Sequence, residues 1–447
     1  MTVLTLRPGL HELVSPEESR TLRQLEVLGV DTADEPKGSV VSIEVSPEAS
    51  PARRLLARAT LDYVLRLDPL VTEVRVDGFE ETELAELAER VPYEHVTAGD
   101  EAASYTVSIG APVGGADLVA DGHGWLAAIG NVLEQPAEEM LNPVGPLAAA
   151  ALAAGEVFKA VFALSYPDAP LTRRFVGATG TFSCFDYSFD GANPPIELFT
   201  IDAFLVGLGG VGAAAVRTLG ELGANVRGRL RLVDADKLST DNLNRVLYAR
   251  WRAAVEKDRK VDEAKLYLDA RLPNVDISRH RETFEEFKRE LAPRRQDRRF
   301  DVVITGLDND EARHEVQRDL PRVLIDGATG RDTNLTVERS VIGEWGCLGC
   351  TRQMDAPVDP DANCDDPPDD RAPSLSFVSG LAGTLAAAEL IKEATAPEAA
   401  LRGSFDHIFI YGLNPDLVSE PAFSPTCRID CQDPARLRAY NEKYPIG

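Results

Sequence analysis

The sequence predicts an α/β protein made of two halves, each a largely parallel sheet flanked by helices. Three observations predict it. Short apolar, β-branched runs alternate with helical periods. A glycine-rich turn, FLVGLGGVG, joins an apolar strand to a helix near residue 207. Two Ala-rich helices of one build recur at 142–162 and 374–394, each ending in Glu and Lys, as a weak internal repeat would.

Composition narrows the function classes. With 47 Lys+Arg against 73 Asp+Glu in 447 residues, the net charge is −26. That argues against extended nucleic-acid contact, which needs cations gathered on one face. It leaves room for a nucleotide, because backbone N–H groups at a helix start hold phosphate in an acidic protein. The most apolar run, Val144 to Gly155, is about a dozen residues, short of the roughly 20 that cross a bilayer. The opening MTVLTLRPGLHELV has no secretory apolar core, so a cytoplasmic protein without membrane contact is expected.

In chain order, Ser15 and Glu18 have the spacing of a capping box on a first helix. A strand is expected at 40–45, a helix at 51–67, a strand at 72–77, a helix near 81–91 and a strand at 105–110, before the helix at 142–162. A loop rich in Gly, Pro and aromatics, 165–198, leads to the second half. There the expectation is a strand into Gly207, a helix at 211–222, the strands LRLVDAD and FDVVITGLD, and the helix at 374–394. The domain division is 1–165, a connecting 166–198, 199–400 with a crossover loop at 351–373, and a tail, 401–447.

Gly207, Gly209, Gly210 and Gly212 sit where a Rossmann-like fold turns its backbone N–H groups toward phosphate. Asp234 and Asp236 end the next strand, where a carboxylate meets ribose hydroxyls. A dehydrogenase needs no more than that. This chain adds Asn242 and Arg245 in DADKLSTDNLNR, Lys260 thirteen residues before Pro273, and Asp308 in TGLDND. Two cations beside phosphates and a carboxylate for Mg²⁺ are the parts of nucleotidyl transfer, where positioning and charge neutralisation do most of the work.

These segments together resemble the ubiquitin-activating-enzyme superfamily, which includes adenylyltransferases of thiamin and molybdopterin biosynthesis. The resemblance covers about 200–395. It implies that Asp234 binds the ribose of ATP, that Asn242 and Arg245 contact phosphates, that Lys260 steadies the α-phosphate and that Asp308 binds Mg²⁺. Lys257 or Lys265 stands as an alternative to Lys260. The implied reaction is attack by the C-terminal carboxylate of a ubiquitin-like or sulfur-carrier protein on the α-phosphorus of ATP, with a conjugating or sulfur-transfer protein downstream. A carboxylate is already nucleophilic at neutral pH, so no general base is needed. The alternative is an adenylyltransferase acting on a peptide or small molecule without a covalent intermediate; more remote rivals are a nicotinamide oxidoreductase and a non-catalytic scaffold.

Family members are dimers or fused pseudo-dimers in which one half lends an arginine to the other, and LRQLEVLG places Arg23 in that role. The strand at 40–45 runs into SPEASPARR rather than a glycine turn. The first half is therefore expected to be a degenerate, inactive adenylation-like domain, giving a pseudo-dimeric monomer or a homodimer.

Cys347 and Cys350 in CLGC, with Cys427 and Cys431 in CRIDC, have the spacing of a tetrahedral zinc site. Cys364, in the Pro- and Asp-rich run before the last long helix, matches the family's thioester-forming cysteine. Its neighbours Asp361, Asp365 and Asp366 disfavour a thiolate there. Cys184 reads as a packed small apolar residue.

Overall fold

The computed structural model describes residues 2–6, 21, 25–26, 28, 30, 36–96, 102–112, 114–134, 142–291, 300–330, 333–344, 346–351, 375–413, 418–419, 427 and 429–444. The capping box of Ser15 and Glu18 lies outside them.

In the first half the strands are β1 (Thr2–Leu6), β2 (Ser39–Val45), β3 (Val71–Asp77), β4 (Tyr93–Val96), β5 (Tyr105–Ile109), β6 (Leu118–His123), β7 (Leu126–Ile129) and β8 (Gly180–Ser183). They form one sheet in the order β4-β1-β3-β2-β5-β6-β7-β8. The second half contributes β9 (Phe199–Val206), β10 (Val226–Val233), β11 (Val275–His280), β12 (Val302–Thr305), β13 (Val323–Thr329), β14 (Asn334–Ser340), β15 (Gly403–Ile408) and β16 (Val418–Ser419). Their order is β11-β10-β9-β12-β13-β14-β15-β16.

The two sheets repeat one plan. The series β3-β2-β5-β6 is parallel and continues antiparallel through β7 and β8. The series β10-β9-β12-β13 is parallel and continues antiparallel through β14 and β15. In each half a helix follows β2 or β9, Pro51–Val64 or Gly210–Gly220, and a long helix, Val144–Ser165 or Ser376–Thr395, precedes β8 or β15. The repeat suggested by two Ala-rich helices is thus a repeat of six strands and two helices, with different strands at the sheet edges.

The expected elements at 40–45, 51–67, 72–77, 81–91, 105–110 and 142–162 are all present to within a few residues. Sequence reading missed β1, β4, β6, β7 and β8 in the first half and β11, β13, β14, β15 and β16 in the second. The segment taken as connecting loop carries β8, which completes the first sheet by pairing with β7. Most of these strands are four to six residues long, too short for alternation to register against turns.

Four helices lie at the join: Pro51–Val64 packs on Val144–Ser165, that on Ser376–Thr395, and that on Gly210–Gly220. One hydrophobic core runs through both halves and includes Tyr63, Phe158, Phe162 and Phe377. The Val144–Ser165 helix is longer than the apolar dozen read from sequence. Its 22 residues are long and apolar enough to cross a membrane by length and composition, yet most of the helix is buried in the fold. An apolar helix on all sides is what a position between other helices demands.

Charge is buried at this join in paired form. Asp62 meets Arg66 at 2.9 Å and, from the other half, Arg217 at 3.0 Å. The two long helices also match in detail. Lys159, paired with Glu156, donates from Nζ to the carbonyl of Phe409, at 3.2 Å, just past β15. Lys392, paired with Glu389, donates to the carbonyl of Phe185, at 3.0 Å, just past β8. Each half therefore holds the backbone of the other with a buried ammonium whose charge is balanced one helical turn away.

Candidate functional site

The site gathers at the ends of β9, β10 and β12. After Val206 the chain turns at Gly207, with φ of 83°, a left-handed conformation that side chains resist. A Cβ on Gly212 would collide with the Gly207 carbonyl, so the turn closes only with glycine at both places. The Gly210–Gly220 helix starts there with its first N–H groups unpaired within the helix, the arrangement that draws an anion.

Asp234 follows β10 directly. Its carboxylate accepts the Leu208 N–H at 2.6 Å and the Asp236 N–H at 2.7 Å, tying the glycine turn to the next strand. Burial raises this carboxyl above its ordinary value, against the pull of Lys260 and the two N–H donors. Lys260 opens the Lys260–Asp269 helix and is 7% exposed; its Nζ lies 2.7 Å from Asp236. Its alternatives stand elsewhere. Lys265 bonds Asp269 and the Ile277 carbonyl, and Lys257 is exposed at a positive φ.

Arg245 lies over the start of the helix: a Cβ on Gly210 would sit 3.3 Å from its Cδ and 2.9 Å from Ser379 Oγ. Asn242 is buried in the short turn Thr240–Asn244. Asp308 is exposed three residues beyond β12, with Asn309 Nδ2 3.2 Å away. Its neighbours press on the glycine turn, since a Cβ on Gly207 would fall 2.9 Å from both the Gly306 carbonyl oxygen and Leu307 Cδ2. An exposed carboxylate beside an anion-binding turn suits Mg²⁺, which takes one or two carboxylates and keeps phosphate oxygens and waters for the rest.

The structure thus brings Gly207, Gly209, Gly210, Gly212, Asp234, Asp236, Arg245, Lys260 and Asp308 to neighbouring positions. Arg23 and Cys364 lie outside the described residues. Tyr248 was not anticipated. Its buried hydroxyl is 3.4 Å from the Leu208 carbonyl and 3.2 Å from that of Lys260, joining turn and helix. The sign in the sequence was an aromatic in the short apolar run Val246–Ala249, just after Arg245.

The four paired cysteines also converge. Their Sγ atoms all lie within 4.8 Å of one another, with Cys347–Cys427 and Cys350–Cys431 at 3.5 Å and Cys347–Cys350 at 4.0 Å. Four thiolates at about 2.3 Å from a tetrahedral ion stand roughly 3.8 Å apart, so the set fits a metal. Cys184 is separate and fully buried, and burial raises its thiol to about 12.

Sheet, glycine turn and surrounding charges define an α/β protein of the adenylyltransferase kind. Residues 196–428 match the ThiF family, more than half the chain, and the protein belongs to that family. Residues 52–174 match the BilD N-terminal domain. Among solved structures, E. coli MccB with MccA is 15% identical, with 62% of this chain and 73% of that chain covered at a TM-score of 0.38. E. coli MccB with ATP is 13% identical, covering 71% and 98% at 0.38. PaaA is 21% identical, covering 46% of this chain and 60% of that one at 0.31. No curated protein matches the chain.

Proposed function

We propose that this protein activates the C-terminal carboxylate of a ubiquitin-like or sulfur-carrier protein by adenylation, using ATP and Mg²⁺. The observation that carries the reading is the convergence on the glycine turn of Asp234, bonded to the Leu208 N–H, the Lys260–Asp236 ion pair, Arg245 over Gly210 and the Gly306–Leu307 backbone that leads to Asp308. Two anions must approach one another in this reaction. Helix N–H groups, Arg245 and Lys260 lower that repulsion, while Asn242 faces the same phosphates and Asp234 takes the ribose. Bound Mg²⁺, held by Asp308, would supply further charge for the departing pyrophosphate.

In this reading the glycine turn and its charges serve one nucleotide in the second half, the first half is its inactive counterpart, and Arg23 reaches across. Cys364 then accepts the activated carrier as a thioester, releasing AMP. The four clustered cysteines hold structural zinc, since a closed set of four thiolates leaves no position for substrate.

Carrier-dependent exchange of pyrophosphate into ATP tests the adenylation. Purified protein is mixed with candidate carriers ending in glycine, and label incorporation is followed. Cys364→Ala keeps exchange and loses any reducible carrier adduct; an adduct that survives the substitution removes Cys364 from the reaction. A free nucleotidylated peptide or small molecule, found by mass spectrometry without carrier, would replace this reading with the alternative one.

A further inference from the structure

The two halves carry one more correspondence. The fourth residue of β13 is Asp326, followed by Gly327; the fourth residue of β6 is Asp121, followed by Gly122. Both aspartates are fully buried, and each holds an arginine from a different place in the fold.

In the second half the partner is Arg313, on the Asp310–Arg318 helix between β12 and β13, with its Nε 3.2 Å from Asp326. The remaining arms of that guanidinium reach back to the loop that starts the helix. One is 2.7 Å from the Asp310 carboxylate and the other donates to the Leu307 carbonyl. Thr305 Oγ1 donates to Asp326 at 2.5 Å from the strand below. The segment Gly306–Asn309, which carries Asp308 and abuts Gly207, is therefore fastened to the sheet by one buried fork. The contact leaves no slack: a Cβ on Gly306 would fall 2.7 Å from the Gly212 nitrogen.

In the first half no helix stands between β5 and β6 among the described residues. Asp121 instead takes Arg53, at 3.1 Å to Nε and 2.7 Å to Nη2. Arg53 is the third residue of its helix, as Gly212 is of the other, and its side chain lies against Gly110, the residue after β5, as Gly306 follows β12. Where the second half brings two backbones together to make the turn, the first half has a guanidinium filling the space. The same buried aspartate builds the turn in one half and closes it in the other, depending on which arginine answers it.

We propose that Arg313 is a positioning residue for the nucleotide–magnesium complex: through Asp326 it sets the Gly306–Asn309 loop so that Asp308 faces the phosphates. The inference rests on the reading of Asp308 above and extends it to residues that never touch the ligand. A guanidinium suits the place because it donates to both the Asp310 carboxylate and the Leu307 carbonyl while its charge stays paired with Asp326, which an ammonium at the end of a flexible stem cannot match.

The test is binding of a non-hydrolysable ATP analogue by titration calorimetry, with magnesium and with EDTA, so no carrier or turnover is involved. In wild-type protein magnesium tightens the analogue. Arg313→Gln should weaken the magnesium-supported affinity by about tenfold or more, as loss of an outer partner does at other metal sites. Affinity in EDTA should not change, and Arg313→Lys should fall between. Asp326→Asn is the second variant and should show the same selective loss, which keeps the test open if Arg313→Gln does not fold. Equal loss in both buffers, or an unchanged magnesium effect, would overturn the proposal. So would a wild-type protein on which magnesium has no effect. The adenylation reading is judged separately, by pyrophosphate exchange.

Discussion

Lys260 and Asp308 come to the turn from different elements, the helix Lys260–Asp269 and the loop after β12, and the proposed reaction asks different things of them. Lys260→Ala removes a nearly buried ammonium and leaves the Asp236 carboxylate without its ion-pair partner. Carrier-dependent exchange is expected to fall about 10²–10³-fold, the range for losing one preorganised donor to a developing charge. Asp308→Ala should fall similarly and respond less steeply to added magnesium; exchange rates over a magnesium series check both. His407 gives a residue-scale prediction unconnected with activity. Burial lowers its imidazole to about 4, with Lys159 adding to the effect. A base whose folded value lies below its unfolded value of about 6.5 is stabilising while neutral, and that stability is lost as pH falls from there toward 4. The loss is about 3 kcal/mol at full extent. Urea unfolding at pH 7 and pH 5 should show about 2 kcal/mol of this loss in wild-type protein and a shallower drop in His407→Leu.

At the scale of elements, the cysteine cluster joins the short helix Leu348–Thr351 to the final helix Pro434–Lys443, with Ile342, Ile429, Tyr440 and Tyr444 packed around it. If it holds zinc, binding contributes about 10–16 kcal/mol of apparent free energy coupled to folding. Removing the metal with a strong chelator should release close to one zinc per chain and lower the melting temperature. A chain that contains no zinc and melts unchanged would exclude the assignment. Elements also show what was readable in the sequence. The residues that gather at the glycine turn were legible as a group because glycine, aspartate and the cations follow a long apolar strand in fixed order, and such local chemistry survives in one dimension. The hairpin of β6 and β7 was not, since each strand is short and partly made of Ala and Gly. Nor was the exchange of Arg53 for Arg313, because their aspartates lie 68 and 13 positions away in sequence. Such pairings are set by topology.

On the whole-molecule scale the join between the halves is a continuous core with charge paired across it. Burial raises the carboxyl of Asp62, but Arg66 and Arg217 overcome it and hold the group below its ordinary value. Its contribution is present above the unfolded carboxylate value of about 3.9 and disappears as pH falls through the lower folded one. Asp62→Asn leaves two buried guanidinium groups without their carboxylate and should cost about 3–5 kcal/mol. Urea unfolding at neutral pH measures this, and loss of one cooperative transition would show that the halves no longer fold as a unit.

The lysines at the ends of the two long helices carry a consequence for how the polypeptide is built. Lys159 grips a carbonyl beyond β15 and Lys392 one beyond β8, so neither piece finishes its own surface. Cut within 190–198 and expressed as two separate chains, the fragments should each be insoluble or unstable alone. Made in the same cell, they should find one another and co-purify as a one-to-one heterodimer.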